Sequence, residues 1–325
     1  DQAYADAMSE VWEKHPDNAD VGALYAEAMM QLKPWQLYDQ QRQPVEGTEE
    51  IRELLEQVRK LAPTHAGANH LYIHAVEPSG HPDDALAMAQ QLDDLVPASG
   101  HLLHMPSHIY VQTGYWQKAI EQNEKAIASD AHYRELAVTG AMQYLYQFHN
   151  AHMLVFASMM VGQEELAMKV ARDLWTVIPK EEMEAQGPNV DFSLMCVYDV
   201  QKRFGRWDDI LNEPAPPENL VITTAYWRAH RAIAYAAKQQ FEEAESEFVE
   251  FLNARERVPE DSMEDGTFYQ KALKVAQHFI QGEIALQQQD WSVASWHLEQ
   301  AAAIEDTLRY GEPPYWLQPV RHALG

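Results

Sequence analysis

GHPDDALAMAQQLDDLVP (80–97), GYWQKAIEQNEKAIASDA (114–131) and GQEELAMKVARDLWTVIP (162–179) align without a gap. Each opens on Gly and carries Ala five residues later, at Ala85, Ala119 and Ala167. Leu92, Ala126 or Leu174 follows, and then Pro97, Ala131 or Pro179. Small residues at fixed spacing let two helices approach closely, Gly ends one helix, and Pro separates one hairpin from the next. Gly80 to Gly114 is 34 residues, a period at which stacked helix pairs recur, whereas Gly114 to Gly162 is 48. The surplus is expected within AHYRELAVTGAMQYLY (131–146) as a lengthened hairpin end.

Weaker copies follow. GRWDDIL (205–211) is degenerate, and QQFEEAESEFVEFL (239–252) and QQDWSVASWHLEQAAAIED (288–306) keep Ala244, Ala294 and Ala301. In these two the turn Gly becomes Gln239 and Gln289. Upstream, ALYAEAMMQL and TEEIRELLEQVRKLAP read as a further pair, linked through KPWQLYDQQRQPVEG. The expectation is all-α: a tetratricopeptide-like (TPR-like), right-handed superhelical solenoid of about six or seven helix pairs, a single domain over 1–325. Pairs are expected near 66–95, 98–129 and 147–177. The ends, 1–15 and 315–325, read as half-hairpins whose apolar faces are exposed or covered by a neighbouring molecule, and the chain as an excerpt of a longer protein.

Composition agrees. Of 325 residues, 46% are apolar and only 14 are Gly, which suits a folded helical protein. No apolar run reaches the length of a membrane span. The formal charge of −26 repels phosphate and anionic lipid, so no nucleic-acid partner is expected. Cys196 is the sole cysteine and reads as a buried apolar residue, not a nucleophile.

The histidines carry the chemistry. His70 lies ten residues before Gly80, His104 ten before Gly114 and His152 ten before Gly162. His74 and His108 lie six before theirs, His101 and His149 thirteen before, and Glu77 three before. Offsets of thirteen, ten, six and three form one stripe on a helix. The stripe recurs on the first helix of three successive repeats, the helices that line the concave face of such solenoids. His70, His74, Glu77, His101, His104, His108, His149 and His152 are therefore candidate metal ligands. Neutral imidazoles suit Zn or Cu first, and Fe or Ni also. Eight candidates would serve one ion or two. The alternative is a metal-independent adaptor whose groove binds a peptide or partner protein, and structural histidines are the bland reading. Pro106 must either kink the helix or start it; a start would remove His101 and His104 from the stripe.

Outside the stripe the signals are weaker. His230 and His278 read as packing residues, and Trp116, Trp207 and Trp291 as packing between helices. Ser107 and His108 are adjacent and do not face each other, so they form no triad. No glycine-rich phosphate loop, HExxH or CxxC occurs.

GANHLYIHAVE, SGHLLHMPSHIYVQTGYW, YQFHNAHML, RFGRWDDIL and EPPYWLQPVRHALG together resemble a group of bacterial TPR proteins without a settled function. The resemblance implies a longer parent protein and export to the periplasm or beyond; without it the chain reads as cytoplasmic. It supplies no reaction, and whether the chain is an enzyme stays open.

Overall fold

A computed structural model describes residues 1–136, 141–177, 191–264 and 267–325. Its helices group into two compact units, Asp1–Thr139 and Gly140–Gly325. Among the described residues no helix is long and apolar enough to cross a membrane.

The first unit runs α1 (Gln2–Lys14), α2 (Ala19–Met30), α3 (Thr48–Leu61), α4 (Ala66–Val76), a 3-10 turn (Pro82–Ala85), α5 (Leu86–Leu92), α6 (Gly100–His104), α7 (Pro106–Thr113) and α8 (Trp116–Leu136). Helices α1 to α5 each pack on the next, as do α6 to α8, and α2 packs on α4, α4 on α7, α5 on α7 and α6 on α8 as well. Packing of every second helix is how tandem helical hairpins bury a continuous core. In α3 the buried residues Ile51, Leu54, Leu55 and Val58 fall on one stripe, so the helix is amphipathic. Starts are capped from the sequence: Asn18 Oδ1 accepts from the Asp20 and Val21 amides, and Ser99 Oγ accepts from Leu102. His65 does the same for α4, its Nδ1 accepting from the Ala68 amide at 3.0 Å.

The second unit runs α9 (Ala141–Met160), α10 (Glu164–Val177), a 3-10 turn (Ser193–Met195), α11 (Cys196–Arg203), α12 (Trp207–Asn212), α13 (Val221–Ala237), α14 (Phe241–Arg255), α15 (Tyr269–Gln287), α16 (Trp291–Glu305) and α17 (Arg321–Leu324). Before α15, β1 (Met263–Glu264) and β2 (Thr267–Phe268) pair antiparallel as a short ribbon. The fold is all-α, built from TPR-like helix pairs.

The aligned small residues do what their spacing requires: Ala85, Ala119, Ala126, Ala167, Ala244, Ala294 and Ala301 are all buried. Gly114 and Gly162 end their helices in the left-handed region, at φ 81° and 80°. Gln239 and Gln289 occupy the same turn position at φ 59° and 63°, so the geometry outlasts the glycine. Gly80 departs from the pattern. Its φ is not positive, and α4 stops at Val76, because Pro78 cannot continue the hydrogen-bonding of the helix. Ala131, aligned with the separating prolines, lies inside α8; helix α8 absorbs part of the surplus residues. Pro179 lies outside the described residues.

Two expectations need correction. Trp291 is 62% exposed and does not pack between helices, whereas Trp116 and Trp207 are half-buried. The segment from 315 does not expose an apolar face: Tyr315, Trp316, Leu317 and Val320 are buried, and only Arg321–Leu324 is helical. Trp316 lies against Tyr226, His230 and Phe279, a well of aromatic surface that α13 and α15 present to it. At the other end Tyr4 and Val11 of α1 are exposed. Cys196 is buried, and burial, with the nearby Asp199 charge, pushes its thiol far up, away from the thiolate that reacts.

Candidate metal centre

The kink question is answered at Met105. Pro106 has no amide hydrogen, and the helical run breaks there into α6 and α7. Met105 nonetheless keeps right-handed helical dihedrals, φ −49° and ψ −39°. Its amide bonds to His101 O at 3.1 Å, and the His108 amide reaches Met105 O at 3.2 Å. The chain bends without restarting, so His101, His104 and His108 stay on one side.

Helix α4 supplies His70 and His74, one turn apart, and α6 supplies His101. His70 Nε2 lies 3.1 Å from His101 Nε2. The His70 ring centroid is 4.8 Å from that of His74 and 4.9 Å from that of His101. One ligand atom from each of the three lies within 4.8 Å of the others. Burial, reinforced by the neighbouring His74 and His101, pushes His70 down to about 2. Burial and the neighbouring His74 push His101 down to about 4. Both imidazoles are neutral at physiological pH, the state that binds metal.

Glu77 follows α4 directly and is 1% exposed. Its Oε1 is 2.7 Å from His74 Nδ1, and its Oε2 is 2.5 Å from His108 Nδ1. Burial alone would raise this carboxyl, but His108 and His74 outweigh burial and hold it well below the usual carboxylate range. Its backbone carbonyl, freed where the helix stops, accepts from Gln112 Nε2 at 3.0 Å. Beyond it, His108 Nε2 is 2.6 Å from His104 Nε2. His104 Nδ1 is 2.6 Å from Asn123 Oδ1 on α8.

Six of the eight stripe residues are thus connected within the first unit. The other two, His149 and His152, stand on α9 in the second unit. His149 is half-buried; His152 is buried, its ring 5.9 Å from Phe192, and burial pushes it down to about 4.

Two residues at the centre escaped the sequence reading. Asn123 is buried between Ala119 and Ala126, an amide on the packing face of an amphipathic helix, and that mismatch was the available signal. Trp35 sits 60% exposed with its ring edge-on to His74 at 5.7 Å and its backbone left-handed at φ 58°. It lies in the link after α2, where no periodicity applies.

A second polar cluster, in the second unit, was also missed. Asp199 Oδ1 lies 3.3 Å from Lys202 Nζ and 3.2 Å from His230 Nε2, and all three residues are buried. His230 Nδ1 donates to the Tyr226 carbonyl at 2.7 Å. His230 is a packing residue as read, but with a buried charge as its partner. Asp and Lys three apart on a helix ordinarily mark a solvated face, which is why the pair gave no signal.

No family model matches the chain, and no curated protein matches it in sequence. Among solved structures it is similar to a human IFIT1 dimer with m7Gppp-AAAA, at TM-score 0.44 and 13% identity, covering 94% of this chain and 65% of that one. A monomeric IFIT1 mutant with Gppp-AAAA gives TM-score 0.45 at the same identity and coverage. The chain therefore spans just under two thirds of those proteins. At that identity and TM-score the likeness bears on neither ligand nor chemistry.

Proposed function

We propose that the chain is a TPR-like scaffold that holds a transition-metal ion on the face shared by α4 and α6, with His70, His74 and His101 as ligands. The observation that carries this is the 3.1 Å between His70 Nε2 and His101 Nε2. Two nitrogens at about 2.0–2.1 Å from a tetrahedral ion stand roughly 3.3 Å apart, so the His70 and His101 rings need almost no movement. Three imidazoles without thiolate favour Zn or Cu, with Fe or Ni next. Three protein ligands leave a fourth position for water or a small ligand, as open zinc sites do. On this reading the chain sits with the bacterial TPR proteins that its histidine segments resemble.

The second reading is a metal-independent adaptor. Trp35 favours it, since an exposed indole beside His74 is a surface on which a peptide side chain could pack. Metal analysis of protein purified without a His-tag separates the two. The metal reading expects about one equivalent or more of Zn or Cu after gel filtration, and one equivalent less in the His70→Ala/His101→Ala variant at unchanged helix content. A wild type that binds neither ion at micromolar concentration, or a variant that retains all its metal, overturns the proposal.

A further inference from the structure

We infer that the same unit holds a second transition-metal ion, between His104 and His108, and that Glu77 sets the tautomer of one ligand of each ion. This rests on the metal reading of His70, His74 and His101.

The Asn123 amide nitrogen donates to the Ala119 carbonyl at 2.8 Å, which turns Asn123 Oδ1 toward His104. An amide oxygen only accepts, so His104 Nδ1 carries the hydrogen in that contact. The Glu77 carboxylate also only accepts, so His108 Nδ1 carries the hydrogen across its 2.5 Å contact. A neutral imidazole with its hydrogen on Nδ1 presents a lone pair at Nε2. Two such lone pairs then face each other across 2.6 Å in a buried site. Their repulsion is removed by a cation between them. A metal ion with bonds of about 2.0–2.1 Å widens that gap to roughly 3.3 Å, a shift of about 0.7 Å that small ring rotations supply.

Glu77 acts on both sides. Its Oε1 receives the hydrogen of His74 Nδ1, at 2.7 Å, and so leaves His74 Nε2 to the ion it shares with His70 and His101. Its Oε2 does the same for His108. Carboxylates commonly orient metal-ligating histidines in this way; here one carboxylate serves a histidine of each site. Glu77 is a positioning residue, not a ligand.

The consequence is specific to Glu77→Gln. Glutamine keeps the size of Glu77 but presents one oxygen and one NH2. The histidine facing the NH2 must leave its Nδ1 bare, so its hydrogen moves to Nε2 and that nitrogen no longer binds metal. The test is equilibrium dialysis of the whole chain against Zn(II), with Cu(II) EPR on the same proteins and circular dichroism as the folding check. Wild type should hold two ions, and its two Cu(II) signals should show spin coupling. Glu77→Gln, His104→Ala/His108→Ala and His70→Ala/His101→Ala should each hold one ion and an uncoupled spectrum. A wild type that holds a single ion, retained by the His104/His108 variant and lost by the His70/His101 variant, overturns the second site alone and leaves a shared proton between His104 and His108. Two coupled ions retained in Glu77→Gln overturn the role of Glu77. No ion in the wild type overturns the metal reading itself. If an alanine variant does not fold, the isosteric Glu77→Gln protein still decides the question through its stoichiometry and coupling.

Discussion

Replacing Asp199 with Asn keeps its shape and removes its charge, and the second unit should lose a large part of its stability. Lys202 is buried like Asp199, with its ammonium 3.3 Å from Asp199 Oδ1 and 4.0 Å from the Trp316 ring centroid. Burial holds Lys202 below the usual lysine range. Burial pushes Asp199 up, but His230 and Lys202 pull it lower overall, so the pair is an ion pair in which each charge depends on the other. Breaking a buried pair from one side costs about 3–5 kcal/mol, because the remaining charge stays desolvated. The indole face of Trp316 offsets up to about 2 kcal/mol of that through cation–π attraction. A net loss of about 2–4 kcal/mol is left, and at about 2–4 °C per kcal/mol for a unit of this size the Tm should fall by roughly 5–15 °C. Lys202→Met lays an apolar chain on Trp316 and Phe279 but strands the buried Asp199 carboxylate with His230 alone, so it too should cost about 3–5 kcal/mol. In the double variant much of the Asp199→Asn loss should return. Scanning calorimetry and urea unfolding of the four proteins give the coupling energy directly. An Asp199→Asn protein within about 1 kcal/mol of wild type, or a double variant no more stable than Asp199→Asn alone, refutes the account.

Other outcomes follow from single positions. A Cβ on Gly282 would lie 2.7 Å from Leu298 Cγ, so Gly282→Ala should destabilise by about 1–2 kcal/mol despite better helix propensity, and adding Leu298→Ala should relieve the clash. Gln239→Gly relaxes a left-handed turn at φ 59° and should raise urea stability by roughly 0.5–1 kcal/mol; a loss would show that the side chain matters more than the backbone. Burial holds Glu283 above its usual value of 4.5, against the pull of Lys202, so the native state binds more protons than the unfolded state above that pH. Its contribution is therefore favourable in acid and lost as pH rises through the raised value, and Glu283→Gln should gain stability over wild type at pH 7 but not at pH 4. Zn(II) at a hundred times its Kd should stabilise the folded chain by about 2.7 kcal/mol per ion bound in urea unfolding, so the gain should be smaller by that amount in His70→Ala/His101→Ala.

The fold was legible because it repeats. One gap-free alignment fixed the hairpin spacing, the buried alanines and the turn positions, and even the glutamines that replace glycine kept the turn. The histidine stripe was legible for the same reason: equal offsets in successive repeats put equivalent side chains on neighbouring helices. What does not repeat was not legible. Asn123, Trp35 and Asp199 act through contacts that the folded chain makes, and no periodicity announces a contact. The segment from 315 was misread because a short apolar stretch resembles a helix start, whereas the aromatic surfaces of Tyr226 and Phe279 bury Trp316 as an irregular segment.

The departures from the repeat are what shape the centre. A regular helix would run on toward Gly80, as α7 runs to Thr113 and α9 to Met160. Pro78 stops α4 at Val76, leaving Glu77 as its C-cap with φ −54° and ψ −35° and its carbonyl released to Gln112. In the next repeat Pro106 bends the equivalent helix without ending it, and its two halves carry His104 and His108, which still meet at Nε2. The repeat brings the histidines to adjacent helices, but repetition alone would give two parallel rows of imidazoles with nothing to fix their hydrogens. Glu77, still helical in its dihedrals and one turn beyond His74, puts a carboxylate between His74 and His108 with one oxygen on each. A Pro78→Ala change that let α4 continue should therefore draw the Glu77 carbonyl away from Gln112 but leave the carboxylate between His74 and His108, so metal retention should persist, which dialysis and urea unfolding of the same protein would read.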